Sequence, residues 1–150
     1  MITVDQVEDS LLDLLKADAM LASHIKAWEV LTDVSEEELA RAIVRFPAVG
    51  VLSDEVEYTY EMAGRVVEST RLLVLCFARN LRGAAAALRD DPSGDPGVWT
   101  LVEACRSAIL SGALAVQVID CLPVRHAKLF ANEKWAVAAL EVQVRWRNAV

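Results

Sequence analysis

The run Trp135-Ala-Val-Ala-Ala-Leu-Glu-Val-Gln-Val-Arg-Trp-Arg147 constrains the fold of this chain more than any other stretch. Its later part alternates strictly, with Leu140, Val142, Val144 and Trp146 on one face and Glu141, Gln143, Arg145 and Arg147 on the other. A period of two marks a β-strand, because successive side chains point to opposite faces. The chain therefore needs a sheet with one face packed and the other left to water or to a polar partner.

Other segments supply the rest of that sheet. Pro47-Ala-Val-Gly-Val-Leu52 reads as a strand entry, and residues 51–60 and 66–79 read as two strands joined by the turn Glu61-Met-Ala-Gly-Arg65, with Gly64 supplying a positive φ. The apolar run Leu72–Ala78 places the second strand centrally, buried on both faces. Two further strands are expected at Leu114–Cys121 and Val124–Phe130, broken at Leu122-Pro123. The turn Ala131–Lys134 then leads into the C-terminal strand.

Helix signals fall between these strands. Thr3 with Gln6 forms a capping box, and Val4, Val7, Leu11, Leu14 and Leu15 follow at helical spacing over residues 3–17. Ser35 with Glu38 repeats the signature, Glu36–Glu38 fill the first turn, Arg41 and Arg45 lie near the end, and Pro47 stops the helix. Asp95 as N-cap with Pro96 at the first position opens a third helix, with Val98, Leu101, Val102, Cys105 and Ile109 as its apolar stripe and Gly112 as its stop. Residues 18–31 suit either a helix or a short strand. Residues 80–97 read as an alanine-rich turn followed by a surface loop of Asp, Pro, Ser and Gly. The fold class is α+β: a mostly antiparallel sheet of about four to five strands packed against two or three helices.

Composition bounds the function. A chain of 150 residues fits a single domain, and 55% hydrophobic with 25% charged residues is globular. The net charge of −7 argues against broad binding to phosphate backbones, which relies on lysine and arginine. Three cysteines without a CxxC pair, Cys76, Cys105 and Cys121, suggest small buried hydrophobes rather than a disulfide framework or zinc site. The N-terminus lacks the pattern of a signal peptide, and Leu72–Ala78 is too short to span a membrane. A cytoplasmic setting, or a particle assembled there, is expected.

No catalytic set assembles from the sequence. His24 and His126 are the only histidines, no phosphate-binding or zinc-protease motif is present, and strand alternation sets Cys121 and His126 apart. The acidic triplet Glu36–Glu38 could be taken for a metal site but reads better as a solvated helix start, and the acidic loop 89–97 lacks the order and following glutamate of a calcium-binding loop. No enzyme, cofactor or metal is expected. Four tryptophans, Trp28, Trp99, Trp135 and Trp146, suit core packing or a contact surface.

The order of these segments carries a resemblance. An acidic N-terminal helix (Val4-Asp-Gln-Val-Glu-Asp), Phe46-Pro-Ala-Val-Gly-Val51, a hairpin ending in Leu72-Leu-Val-Leu-Cys-Phe-Ala-Arg79, an acidic loop, Pro96–Leu110 and a final long strand together resemble the Mu-like prophage tail proteins, and more distantly the tail terminators of long-tailed phages. The resemblance implies a structural subunit that forms a homo-oligomeric ring, of six copies, at the head-proximal end of the tail tube. Its partners would be tail tube and neck or connector proteins, with DNA passing through unbound. Six copies would carry 6 × −7 = −42 charges, and a negative lumen would let DNA slide. Candidate subunit contacts are Glu61 and Arg65 at the hairpin tip, Asp90 and Asp91 in the acidic loop, and Glu141, Gln143, Arg145 and Arg147 on the polar strand face, for which plain solvation is the alternative. A non-enzymatic ligand-binding or regulatory domain is the other reading.

Overall fold

The computed structural model describes residues 1–79, 88–90 and 95–150. Among them are four helices, α1 (Val4–Lys16), α2 (Ala19–His24), α3 (Glu36–Ala42) and α4 (Val98–Ser111). Five strands, β1 (Ala27–Val30), β2 (Ala48–Glu61), β3 (Arg65–Arg79), β4 (Asp120–Ala131) and β5 (Trp135–Ala149), form one sheet in the order β1-β2-β3-β5-β4. Only β1 pairs in parallel; every other neighbour is antiparallel. The α+β class with a mostly antiparallel sheet is as the patterning predicts. The expected alanine-rich turn and the tip of the acidic loop fall on residues 80–87 and 91–94, outside the described residues.

β5 lies between β3 and β4, paired along its length with β3. Leu140, Val142, Val144 and Trp146 are buried in a core that also holds Val7, Leu11 and Leu15 of α1, Leu21 of α2, and Leu101, Val102, Cys105 and Ile109 of α4. The helices start where side chains satisfy otherwise free N–H groups: the Gln6 side chain accepts from Thr3 N–H at 3.1 Å, Asp18 from Leu21 at 3.0 Å, and Ser35 from Glu38 at 3.3 Å. The ambiguous stretch 18–31 contains both elements, a six-residue helix and a four-residue strand. Each is too short for its periodicity to stand out.

Four boundaries differ from the sequence reading. α3 ends at Ala42, so Arg45 lies beyond it and donates to the Lys26 carbonyl, and β2 begins just after Pro47. α4 starts two residues late, with Gly97 rather than Asp95 as its N-cap. The cap is supplied from a distance: Asp90 accepts from Gly97 N–H at 3.1 Å and from the Thr100 hydroxyl at 2.6 Å. Leu114–Cys121 is not a separate strand; residues 112–119 run irregularly, pinned where Ser10 Oγ accepts from Ala115 N–H at 2.9 Å. Pro123 does not break β4; it sits on an edge strand, where a proline is tolerated, beside a register slip.

Glycines mark two close constraints. At the β2–β3 turn both Ala63 (φ 67°) and Gly64 (φ 72°) are left-handed, so the turn demands more than the glycine alone suggests. Gly112, the extended residue at the end of α4, leaves little room for a side chain, since a Cβ there would stand 2.5 Å from Leu14 Cδ1 and 2.9 Å from the Ala108 carbonyl oxygen.

Candidate interaction face

The second face of the sheet is covered at one end only. Leu39 of α3 and Ile43 just past its end, with Leu31, pack on Ala48, Leu52, Leu75, Phe77, Trp135, Val137 and Ala139. Trp135 stacks on Phe77 at 5.8 Å between ring centroids and meets Phe130 edge-on at 5.3 Å. A seven-residue helix is about 10 Å long, whereas strands of 15 residues run about 50 Å. The remainder of this face is left open.

On that open part the polar half of β5 lies among charges from its neighbours. Glu141 is held between two guanidiniums, Arg71 of β3 at 3.3 Å and Arg125 of β4 at 2.5 Å, and its side chain is only 11% exposed. The Arg145 guanidinium donates to both carboxylate oxygens of Asp120, at 3.1 and 3.0 Å from Nε. Arg147 reaches Glu61 of β2 through Nε at 2.8 Å and Nη2 at 3.1 Å. The Arg147 hydrogen bonds hold the Glu61 carboxyl below its usual range, and Glu61 and Asp120 push the guanidiniums of Arg147 and Arg145 upward. Gln143 lines a shallow cleft of about 500 Å³ with Leu52, Asp54, Glu57, Ser69 and Arg71.

The other sequence candidates sit elsewhere. Arg65 lies at the hairpin tip beside a second hollow lined by Ile2, Arg147 and Asn148. Asp90 is the cap of α4, and the Thr100 hydroxyl and Gly97 N–H lower its pKa. Asp91 lies outside the described residues. Thus β5 and the hairpin tip converge through Arg147 and Glu61, whereas Asp90 serves a helix. Sequence reasoning missed Arg71, Asp120 and Arg125. Their only signal is opposite charge at facing positions, and that is invisible until the register is known.

Cys121 and His126 stand five residues apart along β4, a rise of roughly 16 Å. His126 instead lies 5.8 Å from the Trp99 ring. Cys76 and Cys105 are buried with their sulfurs 3.8 Å apart, and Cys121 is half-buried, its thiol pushed up to about 11 chiefly by desolvation. Trp135 and Trp146 belong to the two cores, while Trp28 and Trp99 pack partly buried against the first. Among the described residues no helix is long and apolar enough to cross a membrane.

The second face of this α+β scaffold is thus open and lined by charges past the end of α3. The family described as Bacteriophage Mu, Gp37 matches residues 3–147. This chain belongs to that family. The match spans every helix and all but the last residues of β5. It confirms the resemblance to Mu-like phage proteins and places the chain among their structural proteins. No curated protein matches the chain.

Proposed function

We propose that this Gp37-family chain is a tail-completion subunit of a Mu-like phage or prophage, a terminator that self-associates into a ring at the head-proximal end of the tail tube. The observation that carries the reading is the family match over residues 3–147. The half-covered second face supports it, since about half its length bears side chains ordered by cross-strand ion pairs yet reachable from outside: Arg71 is 65% and Arg125 74% exposed. On this reading the subunit is non-enzymatic, needs no cofactor, contacts tube and neck proteins, and lets DNA pass a surface of net negative charge. It is assembled in the host cytoplasm and retained in the virion tail.

Light scattering and negative-stain microscopy, with and without purified tail tubes, test the proposal. Rings or capped tube ends are expected. A protein that stays monomeric at high concentration and leaves tube ends bare would overturn it. The cleft beside Gln143 and Arg71 favours one other reading, a small polar ligand bound on the sheet face. A clear rise in melting temperature with one member of a metabolite panel, without self-association, would select it.

A further inference from the structure

The sheet ends in two edges whose backbone groups are partly unused. On β2 the short strand β1 pairs with Ala48–Val51, and residues 52–61 have no outer neighbour among the described residues. On β4 the outer side of Asp120–Ala131 likewise has none. Open edges invite indiscriminate pairing, and proteins blunt them with charges, prolines and bulges. Both edges carry such devices: a register slip between Ser53 and Val56 on β2, and on β4 two slips together with Pro123.

The charges on the two edges have opposite sign. Residues 53–61 include Asp54, Glu55, Glu57 and Glu61 and no base, whereas β4 carries Arg125 and Lys128 with His126 between them, its one acid being Asp120 at the first residue, which Arg145 holds. Glu61 and Arg125 are already engaged by Arg147 and Glu141. Asp54, Glu55 and Glu57 on one side, and His126 and Lys128 on the other, remain exposed. Apolar side chains stand among them: Tyr58 and Tyr60 are 59% and 71% exposed on β2, and Leu122, Val124 and Leu129 are exposed on β4.

We infer that the open edge of β2 in one copy of this chain docks on the open edge of β4 in the next copy. Like charges bar β2 from β2 and β4 from β4, and unlike charges favour β2 with β4. The same devices that blunt each edge against its own kind therefore select one heterologous contact. Within one chain β2 and β4 run antiparallel, because three successive antiparallel pairings separate them. Copies related by rotation about an axis broadly along the strands would thus continue the antiparallel sheet. A head-to-tail contact of this kind closes into a ring when the rotation closes. β1 occupies the first part of the β2 edge, so β4 of the neighbour engages toward the hairpin tip, beside Tyr58 and Tyr60. This inference rests on the self-association proposed above and names its surface.

Disulfide trapping tests it. Tyr58→Cys and His126→Cys, which place thiols on the same sheet face, are each made in a Cys121→Ser background; Cys76 and Cys105 are buried and inert. Under mild oxidation the mixture is expected to form a covalent dimer that neither variant forms alone. A cross-link within one variant alone, or no cross-link in a preparation that light scattering shows to be oligomeric, overturns the edge contact and leaves self-association standing. A protein monomeric in solution and absent from tube ends overturns self-association itself, and the contact with it. Glu57→Lys and Lys128→Glu, both at exposed positions, should each weaken association about tenfold. Association unchanged in either single variant would also overturn the contact.

Discussion

The two faces of the sheet have been solved differently, and β5 shows both solutions on one strand. Toward α1, α2 and α4 its side chains Leu140, Val142, Val144 and Trp146 are buried without exception. Toward the other side, Trp135, Val137 and Ala139 are buried near α3, and beyond them come Glu141, Gln143, Arg145 and Arg147. One face is closed by hydrophobic burial, and the other, past the end of α3, stays open and is lined by ion pairs between strands. Burial stabilises in proportion to area, whereas exposed ion pairs contribute little and are screened by salt. The first face should therefore carry the stability, leaving the second to carry specificity of contact.

That division can be broken by experiment. The largest effect is expected at Trp146, which is fully buried and whose indole N–H reaches the Ile2 carbonyl at 3.2 Å and Glu68 at 3.1 Å. Trp146→Ala should cost about 3–5 kcal/mol in urea unfolding, and a loss below about 1 kcal/mol would mean the first face is not the stabilising one. Glu141 comes next. Glu141→Gln leaves Arg71 and Arg125 facing a neutral amide and should cost about 1 kcal/mol, with the loss diminished when Arg125→Ala is already present. A double-mutant cycle showing no coupling would reduce the ion-pair row to solvated charges.

The smallest effect concerns Glu8, a carboxylate on α1 that accepts from the Ser53 hydroxyl at 3.0 Å. Burial raises its pKa above the usual value, with Asp9 and Asp5 adding to the rise and Ser53 opposing it. A carboxyl whose folded pKa lies above its unfolded one gives stability that is full at low pH and fades as pH climbs past the unfolded value. Glu8→Gln should therefore melt slightly higher than the parent at pH 7, by roughly 1–2 °C, with the gap closing toward pH 4. A lower melting point at pH 7 would show that the Ser53 bond outweighs desolvation.

Much of the fold was legible because its signals are local. The alternation of residues 140–147, the stripe Leu101, Val102, Cys105 and Ile109, and the caps at Thr3 and Ser35 need no long-range information. Where distant groups intervened, boundaries moved: Asp90 reached across to cap α4, and edge placement let Pro123 sit inside β4. The candidate site was half legible for the same reason. Glu141, Arg145 and Arg147 announced a polar face, but Arg71, Asp120 and Arg125 completed it only once the strands were in register.

By itself, then, the sequence determined that β5 has one apolar and one charged side, since side-chain direction along a strand follows from backbone geometry alone. It also determined the opposite charges of residues 53–61 and 121–131. Only the tertiary structure decided that those two segments lie on opposite edges of one sheet, and that α3 stops short of the charged half. Strand order and helix reach depend on contacts between residues far apart in the chain, which no local pattern encodes.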